Sequence, residues 1–124
     1  MSPSPDSPLA DQTCVPCRGG VPPLTRTQLE PLLPQIPQWE LVEEGGRPHH
    51  LRRKFSFPDF KSALAFVDAV GEEAEEQGHH PDIELGWGRV GITIFTHKID
   101  GLAEADCILA ARIDRLHSPT ESQR

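Results

Sequence analysis

Residues 82–94, DIELGWGRVGITI, decide the fold. Ile83, Leu85 and Trp87 alternate with charged or small residues, and Val90, Ile92 and Ile94 do so again beyond a two-residue Gly88-Arg89 link. Period-two alternation on both sides of a glycine-bearing pair predicts two antiparallel strands in a tight hairpin. A turn closed by residues 87 and 90 sets residue 83 opposite residue 94 and returns both outer strand ends to one edge of the sheet.

Toward the N-terminus, Pro58 and Asp59 open the strongest helical pattern in the chain. Phe60, Leu64, Val67, Val70 (or Gly71) and Ala74 form an apolar stripe, with Lys61, Asp68, Glu72, Glu75 and Glu76 opposite and Gly78 placed to close the helix. Before it, Leu51, Arg53, Phe55 and Phe57 alternate with Arg52, Lys54 and Ser56, a half-buried strand. Glu44-Gly45-Gly46-Arg47-Pro48 reads as a turn and Trp39–Val42 as the strand preceding it. Thr25-x-x-Gln28 and Thr27-x-x-Glu30 both have the form of capping boxes ahead of a short helix containing Leu29, Leu32, Leu33 and Ile36. After Gly101, the spacing of Ala105, Leu109, Ile113 and Leu116 predicts a last helix, weakly capped by Ala103. The fold class is α+β: a four-stranded antiparallel sheet with three helices on one face, in the order αββαββα.

The 124 residues carry 13 prolines, nine of them within the first 37 positions, whereas all five Phe and both Trp lie at Trp39 or beyond. Proline blocks backbone donation and a segment without aromatics buries little, so residues 1–21 are expected to be an extended, disordered leader. Residues 22–117 then form the domain, and 118–124 a disordered tail. The net charge of −7 and the absence of an apolar run of about 20 residues lead us to expect no nucleic-acid and no membrane partner. The N-terminus has neither the basic start nor the apolar stretch of a secretory signal, and three cysteines are an odd count, so a reducing, cytoplasmic setting is expected. Cys14-x-x-Cys17 has the spacing of half a zinc site or a redox pair. No second ligand pair follows it, and its flanks predict neither strand nor helix, so it is read as two thiols of the leader.

Chemistry-bearing residues concentrate between positions 75 and 106. Pro81 biases His80 away from helix, so His79 and His80 leave the chain bend in different directions. His97 stands 18 residues beyond His79, at the far end of the hairpin, where the pairing brings it back toward them. Asp106, in the first turn of the last helix, and Glu75, one turn before His79, can join the group. Histidine titrates nearest neutrality and a carboxylate sets its tautomer, the parts needed for general acid–base catalysis. The same three histidines could instead hold a metal, although adjacent histidines diverge from regular backbone and no i, i+4 pair exists, or could be solvated side chains at a helix end. His49-His50, another adjacent pair, is expected to be solvated in a turn with no acid nearby.

Glu75-x3-His79-His80-Pro81, followed by Trp87, His97 and Asp106, resembles the signature of the pterin-4a-carbinolamine dehydratases, and the resemblance runs from about Pro22 to Leu116. It implies the fold derived above, subunits assembled as homodimers or homotetramers, and dehydration of 4a-hydroxytetrahydropterin to quinonoid dihydropterin. That reaction recycles the tetrahydrobiopterin-type cofactor of aromatic amino acid hydroxylases; the pterin is the substrate, and neither cofactor nor metal is implied. The resemblance carries His79, His80, His97 and Asp106 over as catalytic residues, and Glu75, Pro81, Asp82 and Trp87 as substrate-binding members of the motif. Trp87 shares its strand face with Ile83 and Leu85, which makes core packing its expected role. Some relatives of the family act as dimerisation, coactivator or protein-assembly modules, and such a non-catalytic role is the alternative.

Overall fold

The computed structural model describes residues 9–12 and 22–122, with side chains described as far as residue 117. Thr25 caps the first helix, α1 (Arg26–Leu29): its side chain accepts from the Gln28 N–H while the Gln28 side chain accepts from the Thr25 N–H. Of the two capping boxes in the sequence, this is the one used. The helix ends before Pro31, and Leu33–Gln35 continues as one turn of 3-10 helix. Strands β1 (Glu40–Glu44) and β2 (Arg47–Ser56) form a hairpin, α2 (Phe60–Gln77) follows, and β3 (Asp82–Gly86) and β4 (Arg89–Ile94) form a second hairpin before α3 (Glu104–Ser122). The sheet is antiparallel throughout, in the order β1-β2-β4-β3.

The inward face of the sheet supplies Leu51, Phe55, Val90, Ile92 and Ile94, all at most 2% exposed, to one core with the helices. Helix α3 is the centre of that core, with Cys107, Leu109, Ala110 and Ile113 fully buried. Burial pushes the Cys107 thiol up to about 12, which leaves it a small apolar side chain rather than a nucleophile. Arg53 occupies an inward position of β2 because α3 answers it: Asp114 Oδ1 accepts from Arg53 at 2.5 Å and from the Trp39 indole N–H at 2.8 Å. Burial raises the Asp114 carboxyl against the pull of those two donors.

Four details differ from the sequence-based expectation. The hairpin turn is Trp87-Gly88, with Gly88 at φ +72°, so Gly86 pairs with Arg89 and Ile83 with Ile92, not with residue 94. Trp87 therefore sits in the turn and is 71% exposed; it packs no core. On α2 the buried stripe is Ala63, Phe66, Val70 and Ala74, whereas Phe60 and Leu64 lie open at 43% and 41% exposure. The choice is made by Phe66, whose ring meets Phe55 at 4.8 Å and Phe57 at 5.2 Å between centroids. Finally, Leu9–Asp11 within the expected leader forms a 3-10 turn with Leu9 buried in the core, and α3 runs on to Ser122. Cys14 and Cys17 lie outside the described residues.

Replacing Ile113 by Ala empties a fully buried position, and a loss of about 3 kcal/mol is expected in urea unfolding. Asp59 caps α2 by accepting from the Ser62 N–H at 2.7 Å, which holds its carboxyl below the ordinary 3.8. A lowered carboxyl stabilises the fold above that ordinary value and ceases to do so as pH falls through the folded one. The stability gap between wild type and Asp59→Ala is therefore expected to be constant from neutral pH down to about pH 4 and to shrink below it; a gap that widens in acid would contradict the cap.

Candidate functional site

The site is assembled by three chain endings. Helix α2 stops at Gly78, whose N–H still reaches the carbonyls of Ala74 and Glu75 and whose φ of +67° turns the chain so that His79 N–H closes on Ala74 at 3.1 Å. This left-handed stop turns His79 in toward the start of α3. Phe95 and Thr96 follow strand β4, and Thr96 pairs with Gly101 to pinch off a small loop in which His97–Ile99 forms a 3-10 turn. Gly101 is required there, since a Cβ would stand 2.7 Å from the Pro23 side chain. Leu24 N–H donating to Leu102 O at 2.8 Å fastens the same loop to the beginning of the domain.

Asp106, fully buried, is where the endings meet. Its Oδ1 lies 2.6 Å from His79 Nε2, and its Oδ2 accepts from the Thr96 hydroxyl and the Ala103 N–H, both at 2.7 Å. The last contact also supplies the helix N-terminus with the acceptor that Ala103 lacks. With Nε2 engaged as donor to a carboxylate, His79 keeps Nδ1 as its proton-accepting nitrogen. His80, on the solvent side, places Nε2 2.5 Å from Glu75 Oε2, both side chains being well exposed. His97 lies against the Phe95 ring, 4.2 Å between centroids.

Gly78, His79, His80, Phe95, Thr96, His97 and Lys98 line a cleft of about 320 Å³. The three histidines expected to converge do so, with Asp106 behind His79 and Glu75 behind His80. Pro81, Asp82 and Trp87 are not among the residues lining it; Trp87 is separated from the cleft by the five residues of β3, about 16 Å of strand. A larger concavity of about 500 Å³, between Lys54, Glu84 and Arg89, has no histidine in its lining. Two contributors escaped the sequence reading. Thr96 continues the inward series of Ile92 and Ile94, and a polar residue at a buried strand position is the signal that could have marked it. Phe95, which backs His97, gave no signal beyond being aromatic.

His49 and His50 do not behave as the solvated pair expected. His49 is 7% exposed, its Nε2 lies 2.8 Å from Asp100 Oδ1, and its ring meets Phe95 at 4.8 Å between centroids. The pairing of β1 explains the difference: Val42 faces His50 and Glu43 faces Pro48, so His49 is an extra residue in a β-bulge.

Because three donors converge on Asp106, Asp106→Ala is expected to cost about 3 kcal/mol or more in urea unfolding, and Asp106→Asn, which keeps a carbonyl acceptor, distinctly less. Equal losses for the two variants would show that the hydrogen bonds do not hold the three chain endings.

The family model described as pterin 4 alpha carbinolamine dehydratase matches residues 22–116. The Rubrobacter xylanophilus protein that carries the name "putative pterin-4-alpha-carbinolamine dehydratase" is 61% identical over 110 residues, covering 89% of this chain and 99% of that one. A protein of the same name from Alkaliphilus metalliredigens is 44% identical over 111 residues, 89% of this chain and 96% of the other. Two solved structures share the fold. One is a transcriptional coactivator/pterin dehydratase from Brucella melitensis, with a TM-score of 0.68 and 30% identity over 76% of this chain and 97% of its own. The other is a pterin dehydratase-like protein identified as a RuBisCO assembly factor in the alpha-carboxysome, with a TM-score of 0.54 and 32% identity over 64% and 88%. The cleft and its histidines thus stand on a chain that belongs to the pterin-4a-carbinolamine dehydratase family.

Proposed function

We propose that the protein is a dehydratase acting on 4a-hydroxytetrahydropterin, and the observation that carries this reading is the His79–Asp106 pair opening, with His80 and His97, on one cleft. In the reaction the bond between carbon 4a and its hydroxyl breaks. The departing oxygen takes a proton from an acid and leaves as water, and a base removes a proton from a ring nitrogen as the quinonoid dihydropterin forms. Hydroxide is a poor leaving group, so the acid must reach the oxygen as the bond lengthens. His79 and His97, on different elements across the cleft, are the proton-transfer pair in this reading. Asp106 fixes the His79 tautomer, and Phe95 supports the His97 ring. His80, with its nitrogen engaged by Glu75, positions the pterin. The dehydration itself needs only proton transfer, and a separate two-electron reduction must then convert the quinonoid dihydropterin back to the tetrahydropterin that the hydroxylases use.

Self-association as a dimer or tetramer belongs to the same reading, and Phe60 and Leu64, open on α2, are apolar surface available to it. A non-catalytic assembly role is favoured by one specific observation, the assembly factor among the structures that share the fold. A chain serving only as a binding module has no need of three histidines on one cleft.

A stopped assay of 4a-carbinolamine dehydration separates the two. Wild type is expected to exceed the uncatalysed rate, and His79→Ala and His97→Ala to lose about 100-fold or more in kcat. Wild-type turnover no faster than background would overturn the enzymatic reading. Full activity in both variants would overturn the assignment of the pair.

A further inference from the structure

The β-bulge that buries His49 does something regular backbone cannot: it brings two successive histidines together. In an unbulged strand their side chains would leave on opposite faces. Here His49 Nδ1 and His50 Nδ1 are 3.0 Å apart, and Glu44 Oε1, across the β1–β2 turn, is 3.7 Å from His49 Nδ1. The donor atoms of all three residues lie within 4.8 Å of one another. Two ligands on a tetrahedral ion with bonds of about 2.1 Å stand about 3.4 Å apart, and the two measured separations straddle that value.

We propose that Glu44, His49 and His50 bind one divalent transition cation of the zinc class, with water completing the coordination. Two imidazole nitrogens and one carboxylate oxygen favour such an ion over calcium or magnesium, which take oxygen ligands. The surroundings of His49 match those of a metal ligand. Its second nitrogen, Nε2, donates to Asp100 Oδ1 at 2.8 Å, the carboxylate–histidine arrangement that orients a ligand ring and leaves Nδ1 bare. Asp100 is itself held by Arg47, 3.2 Å from Oδ2, and by its place at the end of the 3-10 turn that begins at His97. Without the ion, His50 Nδ1–H donates to the bare His49 Nδ1; with the ion bound, His50 carries that proton on Nε2 and both Nδ1 atoms are free to ligate. Glu44 is 60% exposed, so an ion reaches the site from solvent without passing through the catalytic cleft. Phe95 touches both sites, 4.8 Å from the His49 ring and 4.2 Å from His97.

The test is calorimetric titration of the full chain with Zn²⁺, in a Cys14→Ser/Cys17→Ser background that removes the competing thiols. Cys107, buried with its thiol at about 12, is no competitor. One equivalent is expected to bind. Its affinity is expected to fall at least ten-fold in His50→Gln and again in Glu44→Gln, an exposed side chain whose replacement leaves the fold intact, and to be unchanged in His80→Gln. Titration with Co²⁺ is expected to give visible d–d bands that vanish in the same two variants. No binding, affinity unaltered in both His50→Gln and Glu44→Gln, or binding lost in His80→Gln would each overturn the proposal.

Discussion

A buried carboxylate must find its hydrogen bonds inside the protein, and at Asp106 that demand organises the site. Its two oxygens are spent on three donors from three elements: the imidazole after α2, the hydroxyl just after β4, and the backbone N–H that opens α3. Each donor would face its own desolvation cost without this acceptor, and the acceptor would face a larger one without them. The endings of α2, β4 and the loop before α3 are therefore mutually dependent. The cleft exists because they meet, and the same contact occupies Nε2 of His79.

The rest of the fold supports that meeting point. Helix α3, buried on nearly every side, fixes Asp106 by its first turn and holds Asp114 under Trp39 and Arg53 two turns further on. The 3-10 loop carrying His97 is clamped at its base by the Thr96–Gly101 bridge and at its tip by Asp100, which reaches back to Arg47 and His49 on β2. The His97 and His49 rings both meet Phe95, at 4.2 and 4.8 Å between centroids, so the two histidines share one aromatic neighbour. No described helix is long and apolar enough to cross a membrane.

The element order and the convergence of His79, His80 and His97 were legible because they follow from alternation, helical spacing and the geometry of a hairpin. Finer placement was not, for reasons particular residues display. Glycines at 86 and 88 allow two turn positions, and only the fitted sheet selects Trp87-Gly88, which moves Trp87 from core to solvent. Helix α2 carries apolar residues on two overlapping stripes, and the tertiary contacts of Phe66 with Phe55 and Phe57 choose between them. The His49 environment depends on one extra residue in a strand, which no periodicity reveals, and on Asp100, 51 positions away. Leu9 reads as leader by composition yet is buried in the core, and a single apolar side chain carries no periodicity that could have marked it.

The central claim is that Asp106 holds His79 with its proton on Nε2, leaving Nδ1 as the acceptor nitrogen. Two-bond ¹⁵N–¹H correlation spectra of ¹⁵N-histidine-labelled protein, recorded over a pH series and read where the neutral-ring patterns are seen, test it directly. The account predicts the Nε2–H pattern for His79 in wild type and a mixed or inverted pattern in Asp106→Ala. An Nδ1–H pattern for His79 in wild type would contradict it.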